Sequence, residues 1–160
     1  MSDPAALAAA IRASWFGAGL SDASIELLVG MAREYEIPAR ARLLREGDEA
    51  KELGIIIDGR AALTEHVAGR GSVTLMSAEA GDVFGWSSLI PPYRATATVV
   101  SLEPVKAIAI DAAELRTEIA SNCELAAGIY PRVLEALSRR LSATRQQLLD
   151  LYSTEQRGPW

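Results

Sequence analysis

Between Gly47 and Asp82 the chain turns four times on glycine: at Gly47-Asp48, Asp58-Gly59, Gly69-Arg70-Gly71 and Gly81-Asp82. The intervening runs, Gly54 to Ile57, Arg60 to Val67 and Ser72 to Ser77, are too short to be stable helices on their own. Asp-Gly between apolar, β-branched runs is a strong hairpin signal, because glycine adopts the positive φ that tight turns require. Val73 and Leu75 alternate with polar neighbours, the period of a half-buried strand. Arg42 to Glu46 precedes this region as a short strand. Thr96 to Ser101 and Val105 to Ile110 follow it, separated by Glu103-Pro104. Short strands with glycine corners predict an antiparallel sandwich or barrel.

Both flanks read as helix. Ala5 to Ser14 is alanine-rich. Ser21-Asp22 caps a second segment in which Ile25, Leu28, Val29 and Ala32 recur at helical spacing to about Glu34, and Pro38 ends it. Asp111 to Glu114 and Ser121 to Glu124 have the spacing of capping boxes. Pro131 is placed to open a final helix running to about Tyr152. Leu134, Leu137, Leu141, Thr144, Leu148 and Leu151 form a heptad seam with one polar interruption. Such a seam suits a homodimer through this helix, or packing on the chain's own barrel. Val133 and Leu149 offer a second stripe that can face the barrel. The expected organisation is an N-terminal helical segment over 1–20, a β domain with its C-terminal helix over 21–153, and a short tail over 154–160.

Composition excludes several function classes. With 160 residues, 49% of them hydrophobic, the chain can build one core. A net charge of −5 disfavours non-specific nucleic-acid binding. Arg139, Arg140 and Arg145 read as a solvated helix face with acids nearby. No pattern for a nucleic-acid-binding module follows Tyr152, so direct DNA binding is not expected. Cys123 and His66 are the sole cysteine and histidine, which rules out a disulfide framework and argues against a metal enzyme or a nucleophile-histidine pair. No apolar run is long enough to enter a membrane, and the N-terminus lacks the pattern of a signal peptide. A cytoplasmic, non-enzymatic protein is the expectation.

The stretch FGWSSLIPPYRATATVV, Phe84 to Val100, has the form of a loop for a small anion: a glycine turn, a stiff double proline and one arginine, Arg94. Together with REGDEAKELGIIIDGRAAL, AGDVFGW and ATVVSLEPVKAIAIDAAEL, it resembles the cyclic nucleotide-binding domain. That family includes the sensor half of catabolite-activator and FNR-type regulators. The resemblance runs from about Leu20 to Tyr152, and SRRLSATRQQLLDLY is similar to the regulators' dimer helix. It implies a mainly β fold, an antiparallel jelly-roll-like β-roll with N-terminal helices and a long C-terminal helix.

The resemblance also implies a site. In the family, Phe-Gly-Glu-x-Ala-Leu, a loop and Arg-x-Ala-Thr cradle a cyclic phosphate, with glutamate on the ribose hydroxyl. Here Phe84, Gly85, Ser88 and Leu89 match, but Trp86 stands in the glutamate position. Ala97-Thr98-Val99 aligns with Ala-Thr-Val, which leaves Ala95 where the arginine belongs and Arg94 one residue early. In a strand, a one-residue slip reverses the face. The implied ligand residues are Leu63, Leu75, Phe84, Gly85, Trp86, Ser87, Ser88, Arg94, Ala95 and Thr96, with Met76 beside them. Thr144 matches the threonine that meets the base from the dimer helix. The expected function is a regulatory domain sensing cyclic AMP, cyclic GMP or another small anion, signalling through its last helix to a protein partner. The alternative is a degenerate, ligand-free dimerisation or scaffold module in which Trp86 plugs the cavity.

Overall fold

The computed structural model describes residues 3–155; of the tail assigned to 154–160, residues 156–160 lie outside it. Helices α1 (Pro4–Ala13) and α2 (Asp22–Gly30) lead into eight strands. These are β1 (Ala32–Ile37), β2 (Arg42–Leu44), β3 (Glu52–Asp58), β4 (Ala61–Val67), β5 (Gly71–Ala78), β6 (Val83–Phe84), β7 (Thr98–Ser101) and β8 (Val105–Asp111). Helices α3 (Ala112–Ser121) and α4 (Cys123–Glu155) follow. The strands form two four-stranded antiparallel sheets, β1-β8-β3-β6 and β2-β7-β4-β5, as a β-roll requires.

The unbroken apolar run of β3 has a simple cause. Its sheet is covered on both faces, so neither side chain set can be polar. Leu53 and Ile55 join Ile108 and Ile110 beneath the helices, with Leu7, Ile11, Phe16, Ile25, Leu28, Leu115, Leu125 and Ile129. Ile56 points the other way, into the roll, with Leu63, Phe84, Val99, Val105 and Ala107. Gly54 is the exception in this run because the Phe84 ring lies on it: a Cβ there would come within 2.1 Å of Phe84 Cζ. At the β3–β4 corner Gly59 has φ 86°, and an added Cβ would meet the Pro104 carbonyl.

Two strands are shorter than expected, β2 ending at Leu44 and β7 starting at Thr98, and two helix boundaries differ more. The second helix does not reach Glu34; it stops at Gly30, and Ala32–Ile37 is a strand paired with β8 from Ala32 opposite Ile110 to Ile37 opposite Val105. Helical spacing of a few apolar residues was outweighed by the flank of β8, whose backbone groups need partners. The final helix does not begin at Pro131. It begins at Cys123, where the Asn122 carboxamide caps the Leu125 amide at 3.0 Å, and Pro131 lies inside it; Ser121, expected to head a capping box with Glu124, instead ends α3 and donates to the Thr117 carbonyl. The early turns form because Leu125 and Ile129 are fully buried, which outweighs the hydrogen bond that proline forfeits. Among the described residues no helix is long and apolar enough to cross a membrane.

Candidate ligand-binding site

After β6 the chain turns at Gly85, in the left-handed region at φ 73°, into a single tight turn, Trp86–Leu89. Only glycine fits: a Cβ would stand 2.5 Å from the Glu52 carbonyl oxygen of β3. Ser87 and Ser88 are buried, and the Ser88 hydroxyl has no hydrogen-bond partner. Arg116 of α3 holds the turn from outside, donating to the Ser88 carbonyl at 2.6 Å and lying over the Tyr93 ring at 4.2 Å.

The loop returns through Arg94, Ala95 and Thr96. Ala95, Ala97 and Val99 are buried, so the positions between them face away from the roll interior. Arg94 accordingly turns out: its guanidinium donates to the Gly47 carbonyl at 2.9 Å in an exposed position. Ala95 instead ties the loop down through its backbone, donating to Asp48 and accepting from Gly47.

The arginine that does enter the site comes from α4. Arg140 donates to Thr96 Oγ1 at 2.7 Å and to the Thr96 carbonyl at 3.2 Å. It pairs with Glu65 of β4 at 2.6 Å, and its guanidinium lies 5.3 Å from the centre of the Trp86 ring. Its side chain is only 14% exposed. Neighbouring Arg139 lies over Trp15 at 4.5 Å and pairs with Glu135 at 2.9 Å. Further along, Gln147 donates to the carbonyls of Thr74 and Leu75. Thus α4 lies across the β4–β5 hairpin, and the reading of these arginines as a solvated face with nearby acids fails at Arg140, while Arg139 and Arg145 are exposed. The roll-facing stripe runs Val133, Ala136, Arg140, Ala143, Gln147; Leu149, expected on it, is exposed.

Beneath α4 is a cavity of about 100 Å³, whose walls include Leu63, Met76, Val83, Trp86, Ala136 and Arg140, with Trp15 and Arg139 at one side. Pockets for small organic ligands run from roughly 300 Å³ upward, so Trp86 and Arg140 leave less than a nucleotide requires. Of the residues singled out from sequence as ligand walls, Leu63, Met76 and Trp86 line this cavity; Thr96 and Leu75 meet α4 through Arg140 and Gln147. Phe84 lines a separate hollow of about 560 Å³ beside Arg42, Arg45 and Glu49. Gly85, Ser87, Ser88 and Ala95 are buried backbone supports. Thr144 is exposed on the outer side of α4, its hydroxyl donating to the Arg140 carbonyl of its own helix at 3.0 Å. Sequence reasoning placed neither Arg140 nor Glu65 in the site. The signal available was register: Arg140 lies seven residues after Val133, one position off the leucine seam.

The profile of the family described as "Cyclic nucleotide-binding domain" matches residues 34–122. The chain belongs to that family. A curated relative, the CRP-like cAMP-activated global transcriptional regulator of Mycobacterium tuberculosis, is 27% identical over 137 residues, covering 86% of this chain and 59% of the relative. The chain therefore spans about three-fifths of that protein's length. Among solved structures, a candidate cyclic nucleotide-binding protein from Geobacter metallireducens GS-15 is 27% identical with a TM-score of 0.75, covering 88% of this chain and 99% of the other. A cyclic nucleotide-binding domain from Methylobacillus flagellatus KT shares the fold at 20% identity and TM-score 0.76, covering 92% and 83%. A cAMP-binding acyltransferase from Mycobacterium smegmatis matches at 26% identity and TM-score 0.67, covering 88% of this chain but 42% of its own.

Proposed function

We propose that this member of the cyclic nucleotide-binding domain family is a non-enzymatic sensor for a small anionic ligand, with cyclic AMP or cyclic GMP the first candidates. Its output runs through α4 to a protein partner. The observation that carries this reading is Arg140: one side chain of the last helix touches the loop end at Thr96, the hairpin at Glu65 and the wall at Trp86. A ligand larger than the present cavity enters only if that side chain gives way, so occupancy and the position of α4 are energetically linked. The relatives supply the ligand class, since a cAMP-activated regulator and a cAMP-binding acyltransferase are among them.

The outer face of α4 supports the second half of the reading. Leu134, Leu141, Leu148 and Leu151 are between 50% and 71% exposed and lie on one seam, the arrangement of a helix that pairs with a copy of itself, while Leu137, expected on the same seam, is partly buried against the chain's own core. A shift of α4 would reach that seam directly.

A ligand-free dimerisation module is the second reading, favoured by the 100 Å³ cavity and by Trp86 where the family glutamate belongs. Thermal-shift titration with cyclic AMP and cyclic GMP, checked by calorimetry, separates the two. A ligand at 100 times its Kd adds about 2.7 kcal/mol, which raises Tm by several degrees. The sensor reading predicts a saturable rise with one of them. A flat response at millimolar concentration leaves the ligand-free module.

A further inference from the structure

We propose that Arg140 on α4, not Arg94 on the loop, is the cation that recognises the ligand's anionic group, and that Glu65 is the counter-ion the ligand must displace. This deepens the sensor reading and rests on it.

Three observations converge. First, Arg94 is committed elsewhere: its strand register turns it outward and its guanidinium is held by the Gly47 carbonyl. Second, of the two arginines lining the cavity, Arg139 is 46% exposed and already paired with two carboxylates, Glu135 at 2.9 Å and Asp82 at 3.9 Å, while Arg140 is 14% exposed and, among the described residues, pairs with Glu65 alone. Third, the partners of Arg140 map an oxyanion site beside the cavity, for Glu65 and Thr96 meet the arginine that lines the wall without lining it themselves. Its two terminal nitrogens address a carboxylate oxygen of Glu65 and the hydroxyl and carbonyl of Thr96. A guanidinium that donates to a carboxylate oxygen can donate to a phosphate oxygen in the same way, and its planar fork can engage two of them. The Trp86 ring beneath it is a flat apolar surface on which a heterocycle can stack. The ligand class that fits is a compact phosphate ester of a planar heterocycle.

The arrangement also sets how binding is read out. Exchanging Glu65 for a ligand oxyanion keeps Arg140 neutralised but removes one of the ties between α4 and β4. Binding strength and helix release then trade against each other through a single side chain. Glu65, as a like charge beside the incoming anion, keeps affinity low until it is turned aside or removed.

The test is calorimetric titration of cyclic AMP and cyclic GMP into wild type, Glu65→Gln, Arg140→Gln, Arg140→Lys and Arg94→Ala, with far-ultraviolet dichroism confirming each fold. Removing the competing carboxylate in Glu65→Gln should tighten binding about tenfold. Arg140→Gln should weaken it by about tenfold or more, with Arg140→Lys intermediate because it keeps the charge and loses the fork. Arg94→Ala should match wild type. Binding by wild type that is lost in Arg94→Ala and untouched in Arg140→Gln would return recognition to the loop, overturning the proposal while leaving the sensor standing. Absence of binding in both wild type and Glu65→Gln at millimolar ligand would bring down the sensor reading itself, and the proposal with it.

Discussion

The two ends of α4 are held by different physics. From Cys123 to Val133 the helix is anchored by burial: Leu125 and Ile129 are fully buried and Val133 nearly so. Beyond Val133 none of its described side chains is fully buried; Leu137 is partly buried against the core, and further on the helix is tied down by Arg139 to Asp82, Arg140 and Gln147. Pro131 sits near the junction, where its missing amide removes one rung of the hydrogen-bond ladder. Apolar burial is not screened by salt and is not exchanged for another partner. Charged contacts are both. A helix built this way can keep its first turns in the core while its far portion responds to what enters the cavity.

The largest effect should come from breaking the anchored end. Ile129→Ala removes a fully buried side chain from the core that also holds Leu53 and Phe16, and should cost about 2–5 kcal/mol of global stability by urea unfolding. A cost below about 1 kcal/mol would mean that this end is no better anchored than the rest.

Arg140→Ala tests the other end. Charged hydrogen bonds are worth about 1.5–3 kcal/mol each where shielded, and less where a partner such as Glu65 is 38% exposed. We expect a global loss of about 1–2 kcal/mol, but a larger local one. Amide exchange over 136–150 should accelerate strongly while that of Leu125 to Ile129 stays slow. In wild type, raising the salt concentration should produce a milder form of the same pattern. Uniform acceleration along the whole helix would show that α4 behaves as one unit and would erase the contrast.

That contrast also explains what could be read from sequence. The glycine corners, the strands between them and the family pattern are local, and they placed the roll and the turn at Gly85; they showed Arg94 one residue early, but Arg94 was still expected among the ligand residues and instead turns outward to the Gly47 carbonyl. The strand Ala32–Ile37 was not legible, because what makes it a strand is the flank of β8, some seventy residues later. Arg140 was hidden for a related reason. An arginine among arginines on a polar helix looks solvated until the docking of that helix brings Glu65, Thr96 and Trp86 to it. The leucine seam was visible; which face met the roll was settled by α4 extending back to Cys123, so that Ile129 and Val133 set the rotation.

The smallest effect belongs to the anchored side, at the turn beneath Trp86, and its sign is the informative part. The Ser88 hydroxyl is fully buried and without a partner, at the position where the family pattern has alanine. Burying an unsatisfied hydroxyl costs about 1–3 kcal/mol, while removing one oxygen leaves only a small void. Ser88→Ala should therefore stabilise the fold by about 1 kcal/mol, raising Tm by about 2–4 °C in a chain of this size. Amide exchange over 136–150 should not change, because Ser88 is held by Arg116 of α3 and the turn meets the far half of α4 through Trp86, which this substitution leaves in place. Loss of stability would mean that an ordered water satisfies the hydroxyl. A gain in stability that also slowed exchange in the far half of α4 would show that the turn and the latch are mechanically joined, and the comparison would have to be redrawn around Trp86 rather than around Pro131.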